Sequence, residues 1–258
     1  MRIARFSLDD KPTYGVVDGE AGSERLVVLA GDPLYTAVKP TGRTVELAEV
    51  RLLAPVIPRS KVVGIGRNYA EHAQEMGNDL PAQPLMFLKP NTSVIGPGDP
   101  IVLPDWSKEV HYEGELAVVI RRICKDVPRE RVAEVVLGYT CANDVTARDA
   151  QASDGQWARA KGFDGSCPLG PWIETDLDVD DLRISTRLDG RTVQDGSTSE
   201  MVFDVADLVA YASAAFTLLP GDVILTGTPA GVGPIVAGQR VDVEIESLGT
   251  LSNPVVRG

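Results

Sequence analysis

The 258-residue chain reads as a mixed α/β protein, predominantly β, on three observations. Apolar runs of strand length recur from end to end, Pro and Gly punctuate the gaps between them, and helical candidates are few. The runs show no regular βαβ alternation, which argues against a doubly wound parallel sheet. No internal repeat or low-complexity tract breaks the pattern.

Residues 1–57 are predicted to form a small N-terminal β-rich domain and residues 58–258 a larger one. In the first, Arg2 to Phe6, Tyr14 to Val17 and Leu26 to Leu29 are strand candidates, separated by the turn formers Asp9-Asp10, Asp18-Gly19 and Gly31-Asp32-Pro33. Pro55 and Pro58 bracket the boundary. Beyond it, Lys61 to Ile65 is an apolar β run ending at Gly64-Ile65-Gly66, and Asn68 to Met76 has helical composition. Strands are then expected at Met86 to Leu88, Ile101 to Leu103, Leu116 to Ile120, around Ile173, and at Ile184 to Leu188, Val223 to Thr226 and Val241 to Ile245. Two further helices are expected: Arg129 to Val136, where Pro128 suits a helix start, and Val205 to Phe216.

Composition excludes several function classes. Asp plus Glu outnumber Lys plus Arg by 37 to 25, a formal net charge of -12, and no local basic patch offsets it. That balance argues against a nucleic-acid partner. The opening Met1-Arg2-Ile3-Ala4-Arg5-Phe6 lacks the apolar core of a secretory signal, and no run approaches the ~20 apolar residues that span a bilayer. A cytoplasmic protein with no membrane partner is therefore expected. Cys124, Cys141 and Cys167 are odd in number and widely spaced, which supports neither a disulfide framework nor a thiolate zinc site. They are expected to be reduced core thiols. The two histidines, His72 and His111, exclude a His-rich metal site.

Glu113 and Glu115 run straight into the apolar stretch Leu116 to Ile120. In one continuous strand, His111, Glu113 and Glu115 share a face. Two carboxylates that close need a shared proton, a basic partner or a divalent cation with oxygen ligands, unless both face water at a strand edge. The spacing leaves these alternatives open.

Other segments add candidate chemistry. Gly64-Ile65-Gly66-Arg67-Asn68-Tyr69 is not a dinucleotide fingerprint, because Tyr69 occupies the place of the third glycine and no βαβ unit follows. A tight turn with close backbone approach explains the glycine pair better. His72 and Glu75 lie three apart on one helical face, as a surface pair or as an oriented base. Asn143 to Gln151 mixes acid, amide and base: Asp144 is a third oxygen donor and Arg148 a fork for a carboxylate, or the segment is a capped turn. Lys161 and the turn Thr226-Gly227-Thr228-Pro229-Ala230-Gly231-Val232-Gly233 contribute a cation, hydroxyls and backbone donors.

Together, Asn68-Tyr69-Ala70-Glu71-His72, Glu113-x-Glu115, Asn143-Asp144-x-Thr146-Ala147-Arg148-Asp149, Lys161-Gly162-Phe163-Asp164 and the Thr226–Gly233 turn follow one order and spacing. In this the chain, from about Lys61 to its C-terminus, resembles the fumarylacetoacetate hydrolase family. It is most similar to the short bacterial isomerase/decarboxylases of homoprotocatechuate breakdown and to the acylpyruvases that also decarboxylate oxaloacetate. The resemblance implies the family's β-roll catalytic domain, Mg²⁺ or Mn²⁺ held by Glu113, Glu115 and Asp144, and a homodimer. It also implies a lid carrying His72 and Glu75 as a base dyad that activates water. Lys161, Arg148, Gln151 and Thr228 match positions that contact the substrate, with Lys161 also counted among the catalytic groups. His111 is expected to support the ligands without being one.

What the resemblance implies chemically is cleavage of a C–C bond in a small 2-oxo dicarboxylic acid or acylpyruvate. The cation acts as a Lewis acid toward the enolate that forms. The competing readings are isomerisation of 2-hydroxyhepta-2,4-diene-1,7-dioate or decarboxylation of 5-oxopent-3-ene-1,2,5-tricarboxylate, and a non-catalytic cation-binding protein. Selectivity is assigned to the segments Met76 to Pro84 and Asp189 to Met201, both expected to be loops.

Overall fold

The computed structural model describes residues 1–20, 22–77 and 79–258, so Asn78 of the 76–84 segment lies outside the described residues. Among those residues the architecture is mainly β, as expected, with three sheets. The largest has twelve strands. Its main path runs through Pro40–Glu46, Arg25–Leu29, Lys11–Asp18 and Arg2–Leu8, then Cys167–Glu174, Val136–Asn143, Gly114–Ile120, Val223–Leu225, Val62–Gly66 and Leu85–Lys89. Arg2 and Ile3 pair with Glu174 and Ile173, so the N-terminal strands extend the sheet that carries the rest of the chain. A five-stranded sheet orders Arg191–Ser197, Arg183–Leu188, Arg240–Ile245, Gly249–Arg257 and Ile101–Leu103, and a small one joins Thr146–Ala147, Val110–Tyr112 and Gly233–Pro234.

The strand Gly114–Ile120 sits at the centre and is buried along its whole length. Leu116, Val118 and Ile120 face one core with Val243 and Ile245 of the five-stranded sheet and Leu208 of the helix Val205–Ala215. Ala117 and Val119 face a second core with Ala142, Leu169 and Leu225. This period-two division buries both faces, which is why the run is apolar throughout instead of alternating. The helix Val205–Ala215 starts where Asp204 caps it, its carboxylate accepting the Asp207 N–H at 2.9 Å.

Several elements depart from the sequence-based expectations. The single strand expected to hold His111, Glu113 and Glu115 on one face is two strands, Val110–Tyr112 in the small sheet and Gly114–Ile120 in the large one, with the chain changing sheets at Glu113. Arg129–Glu134 forms a 3₁₀ helix, and the helix expected over Asn68 to Met76 is confined to Ala70–Glu75. The expected loop Asp189 to Met201 contains the strand Arg191–Ser197, and Arg148–Ser153 and Ala158–Gly162 are short helices. Gly64 and Gly66 do not form a turn. They end a strand whose bare backbone admits aromatic rings, since a Cβ on Gly64 would lie 2.1 Å from the Phe87 ring and one on Gly66 2.8 Å from Trp157.

Cys141 and Cys167 are buried and unpaired, with burial pushing both thiols up to about 12, while Cys124 is only half-buried. No helix among the described residues is long and apolar enough to cross a membrane. Because Phe87 fills the space beside Gly64, Gly64→Ala should destabilise the fold by about 1–3 kcal/mol through overpacking. Chemical denaturation is expected to show a lower midpoint with an unchanged slope.

Candidate active site

Strand register builds the acidic cluster. In the antiparallel ladder between Gly114–Ile120 and Val136–Asn143, Gly114 pairs with Asn143 and Glu115 with Ala142. The residues just beyond the last pair, Glu113 and Asp144, are therefore neighbours. The Asp144 N–H donates to the Glu113 carbonyl at 2.8 Å, and the Glu113 N–H donates to Asn143 Oδ1 at 2.9 Å. The three carboxylates are buried, each with an oxygen within 4.8 Å of the other two.

Three cations are packed into the same space. Lys161 Nζ lies 2.7 Å from both Glu113 Oε2 and Asp144 Oδ2, and Arg148 Nη2 lies 2.5 Å from Glu113 Oε1. Lys89, which the sequence analysis did not single out, reaches Asp144 Oδ1 at 2.5 Å and also donates to the Ser166 carbonyl at 2.8 Å. Its signal was a lysine ending the apolar run Met86 to Leu88, just before Pro90. Arg148 also donates to Gln151 Oε1 at 2.9 Å.

Glu115 is the acid without a cation. Its Oε2 accepts the Gly227 N–H at 2.7 Å, and among the described residues no ammonium or guanidinium forms an ion pair with it. Gly227 has φ 98°, and a Cβ there would meet Asn68 Cβ at 2.8 Å, so glycine is what allows this loop to present its N–H to the carboxylate. Burial, then the Asp144 and Glu113 charges, raise Glu115 well above the ordinary carboxylate range. Burial works in the same direction on Glu113, but Lys161 and Arg148 outweigh it and hold that group far below the range. Burial pulls Lys161 down, but the Asp144 and Glu113 charges outweigh it and keep the ammonium above its ordinary value. Three convergent carboxylates form a hard-oxygen donor set, and the uncompensated Glu115 leaves it short of positive charge. The residues fit a divalent cation of the Mg²⁺ or Mn²⁺ type.

The cluster opens into a cavity of about 570 Å³, which His72, Arg148, Gln151, Lys161 and Thr228 also line. His72 Nδ1 lies 3.3 Å from Glu75 Oε2, so these two side chains are in contact. Glu75 itself stands outside the cavity lining, where both of its oxygens accept the Gly231 N–H at 3.1 Å. Asp144 lies behind the lining. The Thr228 hydroxyl donates to the Gly114 carbonyl at 2.8 Å and accepts from Gln194 Nε2 at 2.8 Å, so its proton is committed within the fold. Gln194 was hidden by the expectation of a loop there. His111 reaches the cavity but pairs with Glu109 at 3.2 Å, and no hydrogen bond links it to Glu113, Glu115 or Asp144 among the described residues. Burial, then the Arg148 charge, lower its pKa.

The family described as fumarylacetoacetate (FAA) hydrolase C-terminal matches residues 61–256, and the one described as Rv2993c-like, N-terminal matches residues 1–55. The chain belongs to the fumarylacetoacetate hydrolase family. It is 45% identical to the mitochondrial oxaloacetate tautomerase Fahd2a of Rattus norvegicus over 220 residues, covering 81% of this chain and 70% of the rat protein. The crystal structure of 2-hydroxyhepta-2,4-diene-1,7-dioate isomerase from Mycobacterium marinum matches with a TM-score of 0.93 at 50% identity, over 100% of this chain and 98% of that one. Fumarylpyruvate hydrolase from Pseudomonas aeruginosa, crystallised with Mn²⁺ and pyruvate, matches with a TM-score of 0.74 at 36% identity, over 78% and 91%.

In this member of the fumarylacetoacetate hydrolase family, the raised Glu115 has a stability consequence. A folded-state pKa above the ordinary 4.5 means that the native state holds a proton the unfolded chain has lost, so stability falls as pH rises above that value. The depressed Glu113 contributes its stability in full above the same value and adds no slope there. In chelator-treated protein, this contribution should be lost and Tm should fall as pH rises above the ordinary carboxylate range. Glu115→Gln should flatten that slope and raise Tm at the upper end, as thermal melts across the pH series will show.

Proposed function

We propose that the chain is a divalent-metal-dependent enzyme that cleaves a C–C bond in acylpyruvates or small 2-oxo dicarboxylic acids, by hydrolysis, by decarboxylation of the oxaloacetate type, or both. The observation that carries this reading is a cluster of three buried carboxylates whose Glu113 and Glu115 open, with Lys161, Arg148 and the Glu75-paired His72, onto one cavity. Glu113, Glu115 and Asp144 would hold Mg²⁺ or Mn²⁺. When bound, the ion supplies Lewis acidity toward the 2-oxo group.

The remaining steps belong to side chains. Lys161 and Arg148 stabilise negative charge that grows as the C–C bond breaks. With His72 Nδ1–H donating to Glu75, Nε2 is left to accept a proton, which suits a base acting on water. Water attacks the distal carbonyl of an acylpyruvate and the bonding pair of the cleaved C–C bond passes to the pyruvate unit as its enolate. An acid leaves, and the enolate takes up a proton to give pyruvate. Decarboxylation of oxaloacetate reaches the same enolate with loss of CO₂ and needs no attacking water.

A second reading is isomerisation, by reprotonation of an enolate at another carbon. It is supported by the 50% identity to the M. marinum isomerase over the full chain and by the similarity to the rat oxaloacetate tautomerase. Side-by-side kcat/KM values on acetylpyruvate, oxaloacetate and 2-hydroxyhepta-2,4-diene-1,7-dioate separate the two.

Two outcomes test the mechanism. Turnover of acetylpyruvate or oxaloacetate should require Mg²⁺ or Mn²⁺ and vanish in Glu115→Gln; full activity in excess chelator would sink the reading. Glu75→Gln should lower acylpyruvate hydrolysis by about 10²-fold, the scale of a general-base contribution, and affect decarboxylation less. Steady-state kinetics on both substrates gives the comparison.

A further inference from the structure

Five basic side chains line the cavity, and four of them are paired. Lys161 bridges Glu113 and Asp144, Arg148 contacts Glu113, His72 contacts Glu75 and His111 contacts Glu109. The fifth is Arg67, which among the described residues has neither an acidic nor a hydrogen-bonding partner. It is half-buried, so its guanidinium is only partly solvated. Lys89, Lys161 and Arg148 are all engaged by Glu113 and Asp144, which leaves Arg67 as the one base lining the cavity that no carboxylate holds among the described residues.

The backbone holds Arg67 there at a cost. Its φ of 59° is left-handed, a conformation a bulky side chain adopts only when its surroundings impose it. It stands between the strand Val62–Gly66 and the helix Ala70–Glu75 that carries His72, an element separate from the strand ends that carry the acids. Trp157, Met76 and Ala73 supply apolar lining, and the cavity is larger than a pyruvate unit fills. A substrate whose oxo-acid end lies at the acids and cations therefore has an apolar-lined space for an arm and a free fork for an anion.

We propose that Arg67 is a specificity-determining residue that binds a second carboxylate at the far end of the acyl arm, so that the preferred substrates are acylpyruvates ending in a carboxylate. The inference rests on the reading of the cavity as an oxo-acid site and names the class of oxo acid it takes.

The test compares fumarylpyruvate, whose acyl arm ends in a carboxylate, with acetylpyruvate, whose arm ends in a methyl group, using the Mn²⁺-loaded full chain. In Arg67→Met the ratio of kcat/KM for the two should fall by about tenfold or more, mainly through KM for fumarylpyruvate. Arg67→Lys should restore part of the ratio. Arg67→Gly, which suits the left-handed backbone but carries no charge, should keep it low. An unchanged ratio, or an equal loss on both substrates in all three variants, overturns the proposal. Calorimetric titration with 2-oxoglutarate and 2-oxobutyrate decides the point without turnover. The wild-type protein should favour the dicarboxylate and Arg67→Met should lose that preference, whereas equal affinities in the wild type refute the assignment. Absence of turnover together with a preserved calorimetric preference would remove the cleavage reading and leave Arg67's role standing.

Discussion

The structure depends on burying three carboxylates side by side. Taking an ion out of water costs several kcal/mol even after relaxation, and like charges add to that cost. The protein offsets it by burying Lys89, Lys161 and, nearly as deeply, Arg148 with the acids. The balance is uneven in space, because Glu113 and Asp144 have cations in contact and Glu115 has only a backbone N–H. The electrostatic deficit therefore falls on one side chain. The register that pairs Gly114 with Asn143 fixes which one, since a slip by a single residue would turn Glu115 to the opposite face of the sheet.

One irregular segment connects this cluster to the His72–Glu75 pair. Between Thr226 and Gly233 the chain presents the Gly227 N–H to Glu115, lodges the Thr228 hydroxyl against the Gly114 carbonyl, and presents the Gly231 N–H to Glu75. The Tyr112 hydroxyl donates to the Gly231 carbonyl at 2.8 Å, holding the far end of the segment to the small sheet. The acids and the dyad are thus positioned by neighbouring amides of one strap, and the short helix Ala70–Glu75 is tied down through its last residue. A short helix has little stability of its own, so tertiary ties of this kind decide where it sits.

The sequence made part of this legible and hid the rest for physical reasons. The predominantly β character was visible because Gly and Pro mark the strand ends, and the helix Val205–Ala215 was visible because it is long enough to show composition and a cap. The helices holding Arg148 and Lys161 are only six and five residues long, too short for helical periodicity to appear. Glu113, Glu115 and Asp144 were legible as a pattern, but the geometry behind it was not: a period-two argument ran one strand from His111 through Glu115, whereas the chain changes sheets at Glu113 and the two glutamates still meet at the cavity. Lys89 and Gln194 were missed because each acts through burial against a distant element, and Gly64-Ile65-Gly66 was read as a turn because glycine signals bends more often than ring packing.

The seating of Trp157 on Gly66 reaches beyond packing. Its indole makes an edge contact with Phe87 at a centroid distance of 5.5 Å and forms part of the cavity wall, whereas Trp106 lies beside Phe163 and Arg159 and Trp172 beside Arg2. Only one of the chain's three indoles therefore borders the reaction space among the described residues. A molecule entering the cavity therefore changes the surroundings of one indole and leaves the other two as a constant background, which makes Trp157 the built-in optical reporter of occupancy.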